Sequence, residues 1–115
     1  MRNVSRAVRT WLPRLLVTSV LFSMTAGADC MLPAPPSHLP DGHSASEQEM
    51  KAAMRTVEHY NEDVDEYVKC LEFQQRRNLL SGDEKSRQRT DALDSLAVVV
   101  GHFNEQVRIF KSRQS

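Results

Sequence analysis

Two proline-free segments carry apolar residues at alternating spacings of three and four, and this pattern constrains the fold more than any other feature of the chain. In the first, Met50, Met54, Val57, Val64, Val68 and Leu71 form the series, with the polar Asn61 filling its one gap. In the second, the series is Leu93, Leu96, Val100, Phe103, Val107 and Phe110. A mean repeat near 3.5 residues is that of helices lying side by side along a continuous seam.

The two series mirror each other about Gly82. Leu71 and Leu93 are equidistant from it, as are Val68 and Leu96, Val64 and Val100, Val57 and Val107, and Met54 and Phe110. Asn61 then faces Phe103. Glycine is common just past a helix end, and an acidic residue favours the start of the next helix, so Ser81-Gly82-Asp83 is read as the turn. Agreement between pattern and turn chemistry predicts an all-α antiparallel two-helix hairpin over 46–115, with helix 1 at 46–80, the turn at 81–83 and helix 2 at 84–111. Ser46 with Glu49 has the form of a capping box at the start of helix 1, and Ser44 with Glu47 offers a second register. Residues 74–91 hold only Leu79 and Leu80 as apolar members, so this end is expected to fray.

The stripe is wider than one seam requires. Ala53, Tyr60 and Tyr67 flank the first series, and Ala92 and Val99 the second. Cover is expected from residues 29–45, which contain Pro33, Pro35, Pro36 and Pro40 and read as an extended, polyproline-like segment ending in a turn at Asp41-Gly42. Sixteen residues of polyproline reach about 50 Å, against about 36 Å of helix between Ser46 and Cys70. A Cys30–Cys70 disulfide would therefore hold this segment almost straight along helix 1, with Leu32, Pro35, Leu39 and Pro40 over the two tyrosines.

Residues 1–28 set the compartment. Arg2, Arg6, Arg9 and Arg14 precede an apolar run of ten, Leu15 to Met24, and Ala26-Gly27-Ala28 supplies the small residues of a cleavage site. This is the layout of a signal peptide, and the apolar run is too short to span a bilayer. The chain is expected to be exported to the periplasm and cleaved after Ala28, leaving no transmembrane span and an oxidising environment for Cys30 and Cys70. Four of the fifteen basic residues go with the leader, leaving eleven basic against fifteen acidic and a net charge of −4. That charge argues against a nucleic-acid partner.

Chemistry-bearing motifs are sparse. No phosphate loop, HExxH or GxSxG element is present, and oxidised cysteines supply no nucleophile. The chain is read as a non-enzyme without cofactor or metal. Its outsider reading is a weak metal carrier through His59 with Glu62 or Asp63; Met31, His38, His43, Met50 and Met54 form a softer set suited to copper, but Met50 and Met54 are better explained as core. Arg76, Arg77, Lys85, Arg87 and Arg89 gather at the hairpin tip in sequence. They form a candidate anion-seeking patch for lipid headgroups or an acidic partner. The leading expectation is a structural or protein-interaction protein that completes a small core by self-association or by docking on a partner helix. The alternative is a module binding anions or membrane surfaces through the basic tip.

The set Asp29-Cys30, Pro40-Asp41-Gly42, Met50, Tyr60, Tyr67 to Cys70, Phe103-Asn104-Glu105-Gln106-Val107-Arg108 and Phe110-Lys111 resembles short exported proteins of unknown function from Gram-negative bacteria. The likeness spans most of residues 29–115 and leaves out the tip. It implies compartment and architecture, and no activity.

Overall fold

The structure is a computed structural model and describes residues 29–115, so the leader expected at 1–28 lies outside the described residues. Two long helices, α1 (Glu47–Arg76) and α2 (Gly82–Arg113), pack against each other, and there is no strand among the described residues. The all-α hairpin expected from the mirrored periodicity is present. So is the Cys30–Cys70 disulfide, which joins residues whose Cα atoms are 5.8 Å apart.

Helix α1 begins where the capping box places it. The Ser46 hydroxyl accepts from the Glu49 N–H at 3.2 Å, and the Glu49 carboxylate accepts from the Ser46 N–H at 2.6 Å. The Ser46 N–H, and after it the nearby Ser46 hydroxyl, hold the Glu49 carboxyl below its usual range. Asp41 organises the turn just before. Its carbonyl accepts from Ser44 and Ala45, and its side chain accepts from the His43 N–H at 2.8 Å, an Asx-type turn.

The connection corrects the expected one. Helix α1 stops at Arg76 instead of residue 80, and the linking residues are 77–81 instead of 81–83. Asn78 takes the left-handed conformation, with φ 56°. The Leu79 N–H reaches back to the Gln74 carbonyl and the Asn78 N–H to that of Gln75. This is a Schellman closure with asparagine in the position glycine more often fills. Ser81 caps α2 by accepting from the Glu84 N–H at 3.1 Å, which makes Gly82 the first residue of α2 rather than the turn. No glycine among the described residues has positive φ. Helix α2 also runs two residues past 111, to Arg113.

The longer, earlier loop shifts the frame. Its centre is Leu79, three residues before Gly82, so the residue of α2 that faces any residue of α1 moves by six, nearly two turns, relative to expectation. Val64 shares a hollow with Leu93 and Leu96, where Val100 had been its expected partner. The Tyr67 hydroxyl donates to the Gln88 side chain at 3.0 Å, which fixes the new level.

The seam itself rotates. The buried line on α1 is Met50, Ala53, Val57, Tyr60, Val64, Tyr67 and Leu71. Met54 is 44% exposed, Asn61 is exposed and Val68 is half-buried, although all three were placed in the seam. Ala53, Tyr60 and Tyr67 take their places. On α2 the buried residues are Ala92, Val99, Phe103 and Phe110, while Leu93, Leu96, Val100 and Val107 are only partly covered. Leu71 and Val64 are the largest side chains sealed from solvent. Each contributes about 1.5–3 kcal/mol relative to full exposure.

Candidate functional site

The helix pair has two long sides, and they differ. On one side lie Tyr60, Tyr67, Val99, Gln88 and Gln106. Residues before α1 touch this side at several points. Cys30 is bonded to Cys70, and Leu39 packs on the core. Gly42 lies against the backbone of α2. Its N–H donates to Gln106 Oε1 at 2.8 Å, and a Cβ at Gly42 would sit 2.2 Å from the Gln106 carbonyl oxygen. Only a residue without a side chain fits so close to a helix backbone. Arg113, in the last turn of α2, donates to the carbonyls of His43 at 2.9 Å and Ala45 at 2.5 Å, with its guanidinium over the Phe110 ring. The residues of the resemblance at Pro40–Gly42 and Phe103–Arg108 are thus in contact.

Burial raises the hydroxyl pKa of Tyr60 and of Tyr67 above its ordinary value, and Asp91 and Glu84 add to the effect at Tyr67. The expected cover is partial. Leu39 and Pro40 are half-buried, but Leu32 is 58% exposed and Pro35 is exposed, so these two do not lie over the tyrosines.

The other side has no chain across it among the described residues. It is a groove between the helices whose floor and walls are the residues the periodicity singled out. Towards the open end, Met50, Met54, Phe103, Val107 and Phe110 line a hollow of about 330 Å³, with Glu47, Lys51, Asn104 and Lys111 around its mouth. Towards the loop, Val64, Val68, Leu93 and Leu96 line a second hollow of about 270 Å³, with Asn61, Glu62, Asp65 and Arg89 at its edge.

The five basic residues proposed for the tip are dispersed. Arg76 and Arg77 end α1, and the Arg77 guanidinium stacks over Phe73. Arg87 is tied to Glu84 at 2.7 Å, and at 100° per residue it points away from Lys85 and Arg89. Arg89 lies at the edge of the groove. His59 is exposed, 3.9 Å from Glu62 and 3.6 Å from Asp63. Among the described residues no group of three or more metal-ligating side chains gathers, and no helix is long and apolar enough to cross a membrane.

Sequence reasoning missed Gly42, Gln106 and Arg113, which fasten the N-terminal residues to α2. A glycine beside Asp41 signals a turn equally well, and nothing local distinguishes a turn glycine from one pressed on a helix. Comparison with known proteins finds no family model, no curated protein and no solved structure that matches the chain.

Proposed function

We propose that this is an exported, non-catalytic interaction protein: a helical hairpin strapped on one side by its extended proline-rich segment and offering the other side to a protein partner. The observation that carries the reading is the asymmetry of the two sides. Ala53, Tyr60 and Tyr67 are buried, while one residue further along the same helix Met54 is exposed and Val68 only half-buried, and Leu93, Leu96 and Val107 beside them on α2 are only partly covered. Unpaired apolar strips cost solubility, and association removes them from water. Export and periplasmic residence are supported by the arginine-then-apolar layout of residues 1–28 and by a cystine, which persists in oxidising compartments.

The test is the native size of the protein in gently lysed cells. The wild type should run as an assembly, and a Val68→Asp, Leu93→Asp double variant as a lone chain. A wild type that runs as a lone chain overturns the reading.

The runner-up is contact with anionic membrane surfaces through the loop end. It draws on Phe73, 52% exposed, and Leu79, 64% exposed, beside Arg76 and Arg77. Exposed apolar side chains among basic ones suit a headgroup region. Binding to anionic vesicles that survives replacement of both arginines by glutamine would remove it.

A further inference from the structure

The partner of the open face can be inferred from its size and from the charges along its two edges. Met50 to Leu71 covers 21 helical rises, about 32 Å, and two adjacent helices are about 20 Å across, so the face presents on the order of 600 Å² in projection. A stable interface takes about 800 Å² of accessible surface per partner, which a face of this size approaches only if both helices are covered along their length. A single partner helix fills the groove and leaves the outer edges bare. A second hairpin covers both.

The edges are unlike in charge. At seven-residue spacing, Lys51, Glu58, Asp65 and Glu72 follow the outer edge of the open face on α1. The ion pairs there, Lys51 with Glu47 and Lys69 with Asp65, are exposed i, i+4 pairs and do not cancel the excess of acid along the edge. The matching edge of α2 carries Thr90, Ala97, Asn104 and Lys111, with Arg89 beside Leu93, and has no acidic residue. Arg89 is level with Asp65 and Val68, since all three border one hollow, and Lys111 is level with Glu47 and Lys51 for the same reason.

Two closed, two-fold arrangements bring the open faces together. If the hairpins point in opposite directions, α1 lies on the partner's α1. Glu58 of each copy then meets Asp65 of the other, a like-charge contact made twice that offsets the Lys51–Glu72 pairs of the same register, and Arg89 on the α2 edge faces no acid. If the loops lie at the same end, α1 lies on the partner's α2. Each Arg89 then falls between Asp65 and Glu72 of the opposite copy, and each Lys111 falls beside Glu47. Every neighbouring helix pair remains antiparallel, as in four-helix bundles.

We propose that the occupant of the open face is a second copy of this chain, docked face to face with both loops at the same end, with Arg89 of each copy set between Asp65 and Glu72 of the other. The proposal rests on the interaction reading above and names its partner.

The test is sedimentation equilibrium of the oxidised protein as recovered after export, at about 1–100 µM, a range that brackets typical moderate affinities. A dimer is expected. Arg89→Glu should weaken it by about tenfold or more, and Asp65→Arg with Glu72→Arg should do the same. The triple variant that exchanges both edges should recover most of the lost affinity, as coupled charges do. Spin labels at position 79 should report loops close together, whereas opposed hairpins would hold them about 45 Å apart. A monomer throughout that range overturns the second-copy proposal. If the protein is nonetheless an assembly in cells, the interaction reading survives with another partner. A dimer indifferent to Arg89→Glu, or labels far apart, overturns the arrangement.

Discussion

The two sides of this helix pair carry similar numbers of apolar residues, yet only one of them is closed. Side chains on the closed side are held by a disulfide, by the Gly42–Gln106 contact and by the Tyr67–Gln88 hydrogen bond. Each of these needs one particular residue. The open side has no such device, and its residues differ from those of the closed side mainly in being one position further along the same helix. Apolar periodicity thus fixes which residues seek burial, and specific polar and backbone contacts decide which of them obtain it within one chain.

The comparison breaks most readily at the cystine. Replacing Cys30 and Cys70 by serine should lower stability by about 4 kcal/mol for a loop of this length, read from urea unfolding. An unchanged midpoint would mean that the closed side does not depend on the tether. Gly42→Ala comes next. Its methyl must displace backbone of α2, and a loss of about 1–3 kcal/mol is expected. The same readout for Ser46→Ala should show about 1 kcal/mol from the lost cap.

Alkali sharpens the contrast further. Burial, then the carboxylates of Asp91 and Glu84, raise the Tyr67 hydroxyl above its ordinary value of 10. Its contribution to stability is present in full below pH 10 and is lost as pH rises through the folded value. Tyr67→Phe should therefore flatten stability against pH in that alkaline window, and a profile identical to wild type would show that the ring is not closed in. The smallest effect belongs to the open side. Asn61→Ala should change the stability of the isolated chain by less than about 0.5 kcal/mol, as surface changes usually do.

Much of the architecture was legible because it rests on repeating features. Two long runs without proline, each with apolar residues at three and four, leave few alternatives to a hairpin, and Ser46 with Glu49 announces a helix start by chemistry local to four residues. The frame was not legible. Gly82 is a plausible turn residue, but Asn78 can also adopt the left-handed conformation, and Ser81 with Glu84 caps a helix as well as Asp83 would. The choice between them slips one helix along the other by nearly two turns. The closed side was misread for a related reason. On a helix, residues 53 and 54 differ by 100°, and both belong to a wide stripe, so pattern alone assigns either to the seam. Tyr60 and Tyr67 are buried on the side where Cys30 and Leu39 pack on the core and where Tyr67 donates to Gln88, contacts that no periodicity records. The charged edges were visible only as a run of acids and a scatter of bases. They acquired meaning once the structure placed Arg89 on the groove instead of at the loop.

The contact between Gly42 and α2 has a consequence for timing. The two partners are 64 residues apart in sequence, and Arg113 lies 70 residues beyond the His43 carbonyl it holds. Chains are made from the N-terminus, so the residues around Gly42 exist long before the last turns of α2 give them a place to rest. Cys30 and Cys70 both precede α2 in sequence, and with no third cysteine in the chain an oxidant acting before α2 is complete could join them only to each other or to another molecule.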